Sequence, residues 1–211
     1  MNSQLNNIQV DPAKNRSKEL FEDFQSAIYQ RTDRLFIFLM IAQWIGGIIV
    51  AFIISPQTWE GTISTTHIHV WAAILIGGAL TSLPVYLCLK QPGQALNRHV
   101  VAVAQMLTSA LLIHLTGGRI ETHFHVFGSL AFLAFYRDRN VILTATVVVA
   151  IDHFVRGVWW PQSVFGVLAG SHWRWIEHAG WVIFEDFFLF ISIHQSLNDM
   201  RRGSDRQANV E

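Results

Sequence analysis

Long runs of apolar residues, each close to the length needed to cross a bilayer, constrain this chain more than any other feature. A membrane-spanning helix needs about 20 predominantly apolar residues. Charged residues make up only 14% of the 211 positions, whereas soluble domains carry about 25%. The sequence therefore predicts an all-α integral membrane bundle of about six transmembrane helices, at residues 35–55, 68–89, 100–115, 121–136, 141–158 and 175–197.

Lysine and arginine are unevenly distributed between the two ends of these predicted helices. With the N-terminus in the cytoplasm, the outer side receives three basic residues, Arg119, Arg156 and Arg174. The inner side receives twelve: Lys14, Arg16, Lys18, Arg31, Arg34, Lys90, Arg98, Arg137, Arg139, Arg201, Arg202 and Arg206. Because basic residues concentrate on the cytoplasmic side, both termini of this multi-pass protein are predicted to be cytoplasmic.

Charge and cysteine content exclude two classes of function. The formal net charge is zero, so the basic footprint of a nucleic-acid-binding protein is absent. Cys88 is the single cysteine, which rules out an internal disulfide framework and a cysteine-rich metal site. The expected partner of the apolar helices is the lipid bilayer.

Histidines collect at the outer ends of the predicted helices once the topology is drawn. Neutral imidazole is a good ligand for copper, iron and zinc, so a shared metal site is predicted. We interpret His67, His99, His172 and His194 as interfacial or hydrogen-bonded residues. The candidate metal ligands come from five helices and are His69, His114, His123, His125, His153 and His178.

Acidic residues accompany these histidines. They could be ligands themselves, or acceptors that hold a ring N–H and fix the tautomer. Glu185 and its neighbour Asp186 lie several turns inside the last predicted helix, where a charge is costly and usually functional. The candidates are Glu121, Asp152, Glu177 and Glu185. The cofactor stays open between iron, as haem b or non-haem, and copper, with zinc as a further choice.

Several motifs resemble a bacterial membrane-embedded sensor module that precedes histidine kinases, diguanylate cyclases and chemotaxis transducers. The resemblance covers most of the chain from the second predicted helix onward. It is carried by the segments 69–71 (HVW), 117–127 (GGRIETHFHVF), 135–138 (FYRD), 152–157 (DHFVRG), 173–181 (WRWIEHAGW) and 184–186 (FED).

The resemblance implies a sensory input domain that relays a ligand or redox signal to a cytoplasmic output domain, in cis or in trans, and a homodimer. It also implies a location in a bacterial inner (cytoplasmic) membrane. The predicted spans divide the chain into a cytoplasmic segment 1–34, a sensor domain 35–197, and the start of an output helix or linker at 198–211. No catalytic residue is assigned. The alternative functions are a membrane metalloenzyme, such as a non-haem iron or copper oxidoreductase, and a proton or metal transporter.

Overall fold

The computed structural model describes residues 12–168 and 171–211. Of the predicted segment 1–34, residues 1–11 therefore lie outside the described part of the chain. The fold is helical apart from one short hairpin. Its elements in chain order are α1 (Pro12–Ile54), β1 (Gln57–Glu60), β2 (Ile63–Thr66), α2 (Ile68–Lys90), α3 (Ala95–Leu115), α4 (Ile120–Leu133) with a 3₁₀ turn (Ala134–Tyr136), α5 (Arg139–Trp159), α6 (Pro161–Phe165) and α7 (Arg174–Ala208).

Helix α1 is much longer than the apolar run that predicted it. It begins at Pro12, a residue well suited to a first helical turn, and no glycine or further proline interrupts the next 33 residues. Its 43 residues span about 65 Å, twice the roughly 30 Å thickness of a bilayer core. The polar segment before Leu35 is therefore a direct helical extension of the first predicted membrane span.

Four of the described helices, α1, α2, α3 and α5, are long and apolar enough to cross a membrane. Helix α4 has only 14 residues, and α7 carries charged residues within its apolar part. Large apolar side chains are exposed on these helices, among them Phe38 (76%) and Ile53 (74%) on α1 and Leu75 (65%) on α2. An exposed apolar surface of this extent suits contact with lipid. These features indicate a membrane protein.

Helix α3 forms the centre of the bundle. It packs against α1, α2, α4 and α5, and its buried positions include the polar residues Asn97, Gln105 and Ser109. Helix α7 packs against α5 and α1 and makes few contacts with α4.

A short hairpin, not expected from the sequence, joins α1 to α2. Strands β1 and β2 pair in an antiparallel register that sets Gln57 opposite Thr66 and Glu60 opposite Ile63. Gly61 lies in the turn with a positive φ of 62°, a conformation that glycine adopts without cost. All eight strand residues are exposed, so the hairpin covers no core.

Two glycines bring the loop after α3 against the end of α6. Gly117 and Gly118 have φ values of 72° and 75°. A Cβ on Gly118 would lie 2.2 Å from the backbone nitrogen of Gly166, a contact that no side chain could make. This close approach of two backbones fixes where α4 begins relative to α6.

Asp33 connects four parts of the chain at the end of the bundle opposite the α3–α4 loop and α6. It is fully buried and accepts hydrogen bonds from the Gly93 backbone N–H at 2.7 Å, the Asn97 amide at 3.2 Å and the Tyr136 hydroxyl at 2.8 Å. Three donors satisfy the carboxyl, as burial of such a group requires. Asp33 thus connects α1 with the α2–α3 loop, α3 and the 3₁₀ turn.

The end of α7 lies beside the start of α1. Ser17 donates to Asp205 at 2.5 Å, and Nε of Arg16 donates to Glu211 at 2.7 Å. The guanidinium of Arg201 lies 5.3 Å from the ring centre of Phe21. The two helices therefore continue as an antiparallel pair beyond the rest of the bundle.

Candidate functional site

Three of the six predicted histidine ligands lie together, and each comes from a different helix. The ring centres of His123 on α4, His153 on α5 and His178 on α7 are 5.1 to 5.7 Å apart. His123 and His153 are buried, and His178 is half-buried. We call these three residues the central cluster.

The three rings of the central cluster all make the same type of hydrogen bond. Each ring donates from Nδ1 to the backbone carbonyl four residues earlier: His123 to Arg119 at 2.9 Å, His153 to Val149 at 3.1 Å, and His178 to Arg174 at 3.1 Å. A carbonyl can only accept, so the hydrogen is on Nδ1. In the neutral ring the Nε2 atom then carries a lone pair. The helices themselves thus set the tautomer in which Nε2 can bind a metal.

The Nε2 atoms lack protein partners. That of His123 is buried without a hydrogen bond, and none is formed by Nε2 of His153 or His178 within residues 12–168 and 171–211. The cluster borders a cavity of about 590 Å³ between α4, α5 and α7. The other cavity walls are mainly apolar and include Phe127, Val149 and Val182.

The donor chemistry of the central cluster fits a transition metal, but its present arrangement does not yet form a site. Within the described residues, no group of three or more His, Cys, Asp or Glu side chains is positioned to hold a metal ion. Three imidazoles that share an ion at the usual nitrogen distance of about 2 Å have ring centres about 5 Å apart. The observed spacing of 5.1 to 5.7 Å is close to this value.

His69 and His114 lie apart from the central cluster and form a second group with His67. We call these three residues the outer group. The ring centres of His67 and His69 are 4.3 Å apart, and those of His69 and His114 are 5.0 Å apart. Nδ1 of His67 accepts the backbone N–H of His69 and so caps the start of α2. Nδ1 of His69 is buried without a partner. His67, interpreted from the sequence as an interfacial or hydrogen-bonded residue, makes this capping hydrogen bond and also lies beside His69.

A chain of side chains connects the two groups. His114 contacts the Ser163 hydroxyl at 2.9 Å, and Nη1 of Arg156 donates to the same oxygen at 2.8 Å. Arg156 also binds Asp152, whose Oδ2 lies 3.3 Å from Nδ1 of His153. Asp152 therefore lies where an acceptor that orients His153 would lie.

His125 is not part of either group. Ser109 donates its own hydroxyl hydrogen to the Gln105 carbonyl at 3.0 Å, so Nδ1 of His125 is the donor to Ser109 at 2.8 Å. Nε2 of His125 then accepts from the Gln43 amide at 3.0 Å. Both ring nitrogens are paired, and His125 joins α4 to α3 and α1.

The predicted acidic partners are dispersed. Glu121 is exposed and lies 3.5 Å from Arg119, and Glu177 lies at the cavity. Glu185 comes seven residues after His178, which is about 10 Å along α7, and one of its oxygens is buried without a partner. Of the four acids, only Asp152 touches a ring of the central cluster.

Sequence reasoning did not identify Arg156 and Ser163 as part of this region. Arg156 could have been found, because it follows Asp152 by one helical turn and such pairs meet on a helix surface. Ser163 lies in the five-residue helix α6, and no spacing in the sequence brings it near His114.

Comparison with known proteins gives one distant similarity. No protein-family model and no solved structure matches the chain. A stretch of 112 residues, 53% of the chain, is 29% identical to "Transducer protein Htr8" of Halobacterium salinarum (strain ATCC 29341 / DSM 671 / R1). The match spans only 17% of that protein's length. The apolar helices and this similarity together connect the chain with membrane-associated sensory transducers.

Proposed function

We propose that the chain is the sensory input module of a membrane signalling protein, with a metal-binding site at its outer end. Six helices, α1 to α5 and α7, cross the membrane of a bacterial cell, and both termini are cytoplasmic. Helix α4 with its 3₁₀ turn reaches about 27 Å, close to the bilayer core. The uneven distribution of lysine and arginine supports this orientation.

The observation that carries the proposal is the common geometry of the central cluster. Three imidazoles from three helices each donate from Nδ1 to a backbone carbonyl. This leaves three Nε2 lone pairs beside one cavity, which favours an occupant that accepts electron pairs. We propose a transition metal held by His123, His153 and His178: copper, non-haem iron or zinc. The iron of haem b is a further candidate and would be held by two of these three histidines. A bound metal would supply an open coordination position or a change of oxidation state.

Helix α7 is the proposed route of the signal. It runs without a break from His178 to the segment that packs on the start of α1. A ligand that binds preferentially to one of two helix arrangements shifts the population toward that arrangement. The output domain, a kinase, cyclase or chemotaxis transducer in cis or in trans, would then respond to the position of α7 relative to α1. The signalling unit is proposed to be a homodimer.

Metal content of the purified protein tests the site. We expect the protein in detergent to hold a stoichiometric amount of metal by elemental analysis, with a Soret band if the metal is haem iron. His123→Ala and His178→Ala should lose the metal. His99→Ala is the matched control, because His99 contacts Thr144 at the other end of the bundle. Equal metal content in all four proteins would reject the central cluster as the site.

Signalling is tested separately with a chimera in which the end of α7 is joined to a histidine kinase. We expect His178→Ala to change kinase activity in membranes while the amount of chimera stays constant. The control is His194→Ala, since His194 is exposed and contacts Arg139 away from the cavity. A chimera in which His178→Ala and the parent have the same activity and the same response to added metal would contradict the relay.

A membrane metalloenzyme is the second candidate function. The apolar walls of the cavity favour it, because a hydrocarbon or lipid substrate could approach the central cluster there. Oxidation of such a substrate by metal-loaded protein, with turnover that His153→Ala abolishes, would support an enzyme. Metal binding without turnover would support the sensor.

A further inference from the structure

Asp186 lies inside the bundle and lacks a cationic partner. It is 5% exposed, and it follows His178 by eight residues, about 12 Å along α7. In the described ranges 12–168 and 171–211, no lysine, arginine or histidine forms an ion pair with it. One of its oxygens, Oδ1, is buried without a hydrogen bond. An ionised carboxylate in such a place would be costly.

The hydroxyl of Thr146 lies within hydrogen-bond distance of two oxygens, the carbonyl oxygen of Ile142 and Oδ2 of Asp186. It lies 2.9 Å from the carbonyl oxygen of Ile142 and 2.5 Å from Oδ2 of Asp186. A threonine hydroxyl has a single hydrogen to donate, so it can satisfy only one of these two oxygens fully. Both contacts become normal hydrogen bonds if Thr146 donates to Ile142 and Asp186 donates to Thr146.

Among the described residues, no hydrogen-bond donor other than Thr146 contacts the carboxyl group of Asp186. Its neighbour Glu185 also has a buried oxygen without a partner. The facing segments 35–54 of α1, 126–133 of α4 and 140–151 of α5 contain no titratable residue. The nearest titratable groups along the cavity are the three histidines at its outer end and Glu177.

We propose that Asp186 and Thr146 form a proton-binding site at the inner part of the cavity. Asp186 is a neutral carboxylic acid there, and its hydroxyl donates to Thr146, which itself lines the cavity. The ligand of this site is a proton, and none of the contacts that define the site involves the central cluster.

Occupancy of this site couples the cavity to the contact between α5 and α7. Loss of the proton would put a negative charge next to Glu185, and Thr146 would have to turn its hydrogen from Ile142 to Asp186. A cation in the cavity would be favoured by that charge. Binding of a proton to Asp186 would therefore weaken binding of a cation in the cavity, and binding of the cation would weaken binding of the proton.

Infrared spectroscopy of the full chain in lipid vesicles tests the proposal. At about pH 7 exposed carboxyl groups are ionised, so a carboxylic acid carbonyl band reports only buried, protonated groups. We expect such a band in the parent protein and in Glu185→Gln. Asp186→Asn should remove one component of it. The component should move to higher frequency in Thr146→Val, because the acceptor of its hydrogen bond is gone.

Isotope labelling keeps the test independent of folding of the variants. Protein that carries ¹³C-carboxyl aspartate should show an isotope shift of the same component, and transfer to D₂O should shift it again. A parent spectrum without a protonated aspartate band would overturn the proposal. So would a band that Asp186→Asn leaves unchanged in a folded protein. Either result would leave the metal-content experiment on the central cluster unaffected.

Discussion

Arg156 donates two hydrogen bonds to the carboxylate of Asp152, from Nε to Oδ1 at 2.7 Å and from Nη2 to Oδ2 at 2.6 Å. The remaining nitrogen of the guanidinium, Nη1, donates to Ser163. One planar side chain therefore orients the acceptor beside His153 and reaches the serine that contacts His114. A bidentate contact of this kind fixes direction as well as distance.

Replacement of Arg156 by lysine should weaken metal binding without unfolding the protein. Lysine keeps the charge but cannot donate in a planar fork, so Asp152 and His153 would lose their fixed orientation. Loss of a residue that orients a metal ligand typically lowers metal affinity by about 10- to 100-fold. A titration of metal-free protein would measure this change. Arg119→Lys is the control, because only the backbone of Arg119 contacts His123. Equal affinities in Arg156→Lys and the parent would show that the pair does not orient the cluster.

Alanine at Gly118 should destabilise the outer end of the bundle severely. Its Cβ would overlap the backbone of Gly166, and its positive φ adds about 1–2 kcal/mol of strain for a residue with a side chain. We expect a lower thermal midpoint in detergent and exposure of the outer group. Gly117 has a similar positive φ, but a Cβ there would have no atom within 4 Å. The loss of stability in Gly117→Ala should therefore be limited to the backbone strain. Similar losses in both variants would argue against the backbone contact.

The positions of the helices could be predicted largely from apolar runs, since burial in lipid demands a minimum length. Helix α2 begins at Ile68 as predicted, and α5 begins and ends within two residues of the predicted bounds. The apolar run predicted only the membrane-spanning part of α1, because the residues before Leu35 are polar and carry no signal of a membrane span. The β1–β2 hairpin was missed because its strands are exposed and carry no buried alternation.

The membership of the central cluster could be predicted only in part. The topology predicted from the sequence places His123, His153 and His178 at ends of helices on the same side of the bundle, and their rings do lie together. Topology does not show which face of a helix meets which neighbour. His125 follows His123 by two residues, a rotation of about 200° around α4, and so it points to α1 and α3 instead. His69 lies apart from the cluster because α2 packs against α1 and α3, and His114 contacts Ser163 of α6.

Removal of the Tyr136 hydroxyl should destabilise the inner end of the bundle. Tyr136→Phe keeps the ring, which is fully buried and stacks on Phe36 with centres 5.5 Å apart, so no cavity forms. Asp33 would lose one of its three donors, at a cost of about 1–3 kcal/mol. Equilibrium unfolding in mixed micelles measures the change. Tyr86→Phe, on a side chain that is 58% exposed, should stay within about 0.5 kcal/mol. A similar result for Tyr136→Phe would show that Asp33 does not need this donor.

The contact between Arg16 and Glu211 should make the pairing of α1 and α7 sensitive to acid. The hydrogen bond from Arg16 lowers the pKa of the Glu211 carboxyl below its ordinary value. A lowered pKa means that the contact is fully formed above the pKa of the unfolded chain and is lost as the pH falls through the lowered, folded value. Both side chains are exposed, so the effect is local and salt should weaken it.

Spin labels placed on the first turn of α1 and the last turn of α7 would measure this loosening. We expect a narrow distance distribution at neutral pH that broadens as the pH falls through the lowered pKa of Glu211. Glu211→Gln should give the broad distribution already at neutral pH, because a neutral amide holds the guanidinium less strongly. Glu22→Gln is the control, since Glu22 contacts Lys18 within α1. A distribution that stays narrow in Glu211→Gln would assign the pairing to the hydrogen bond between Ser17 and Asp205, six residues before Glu211.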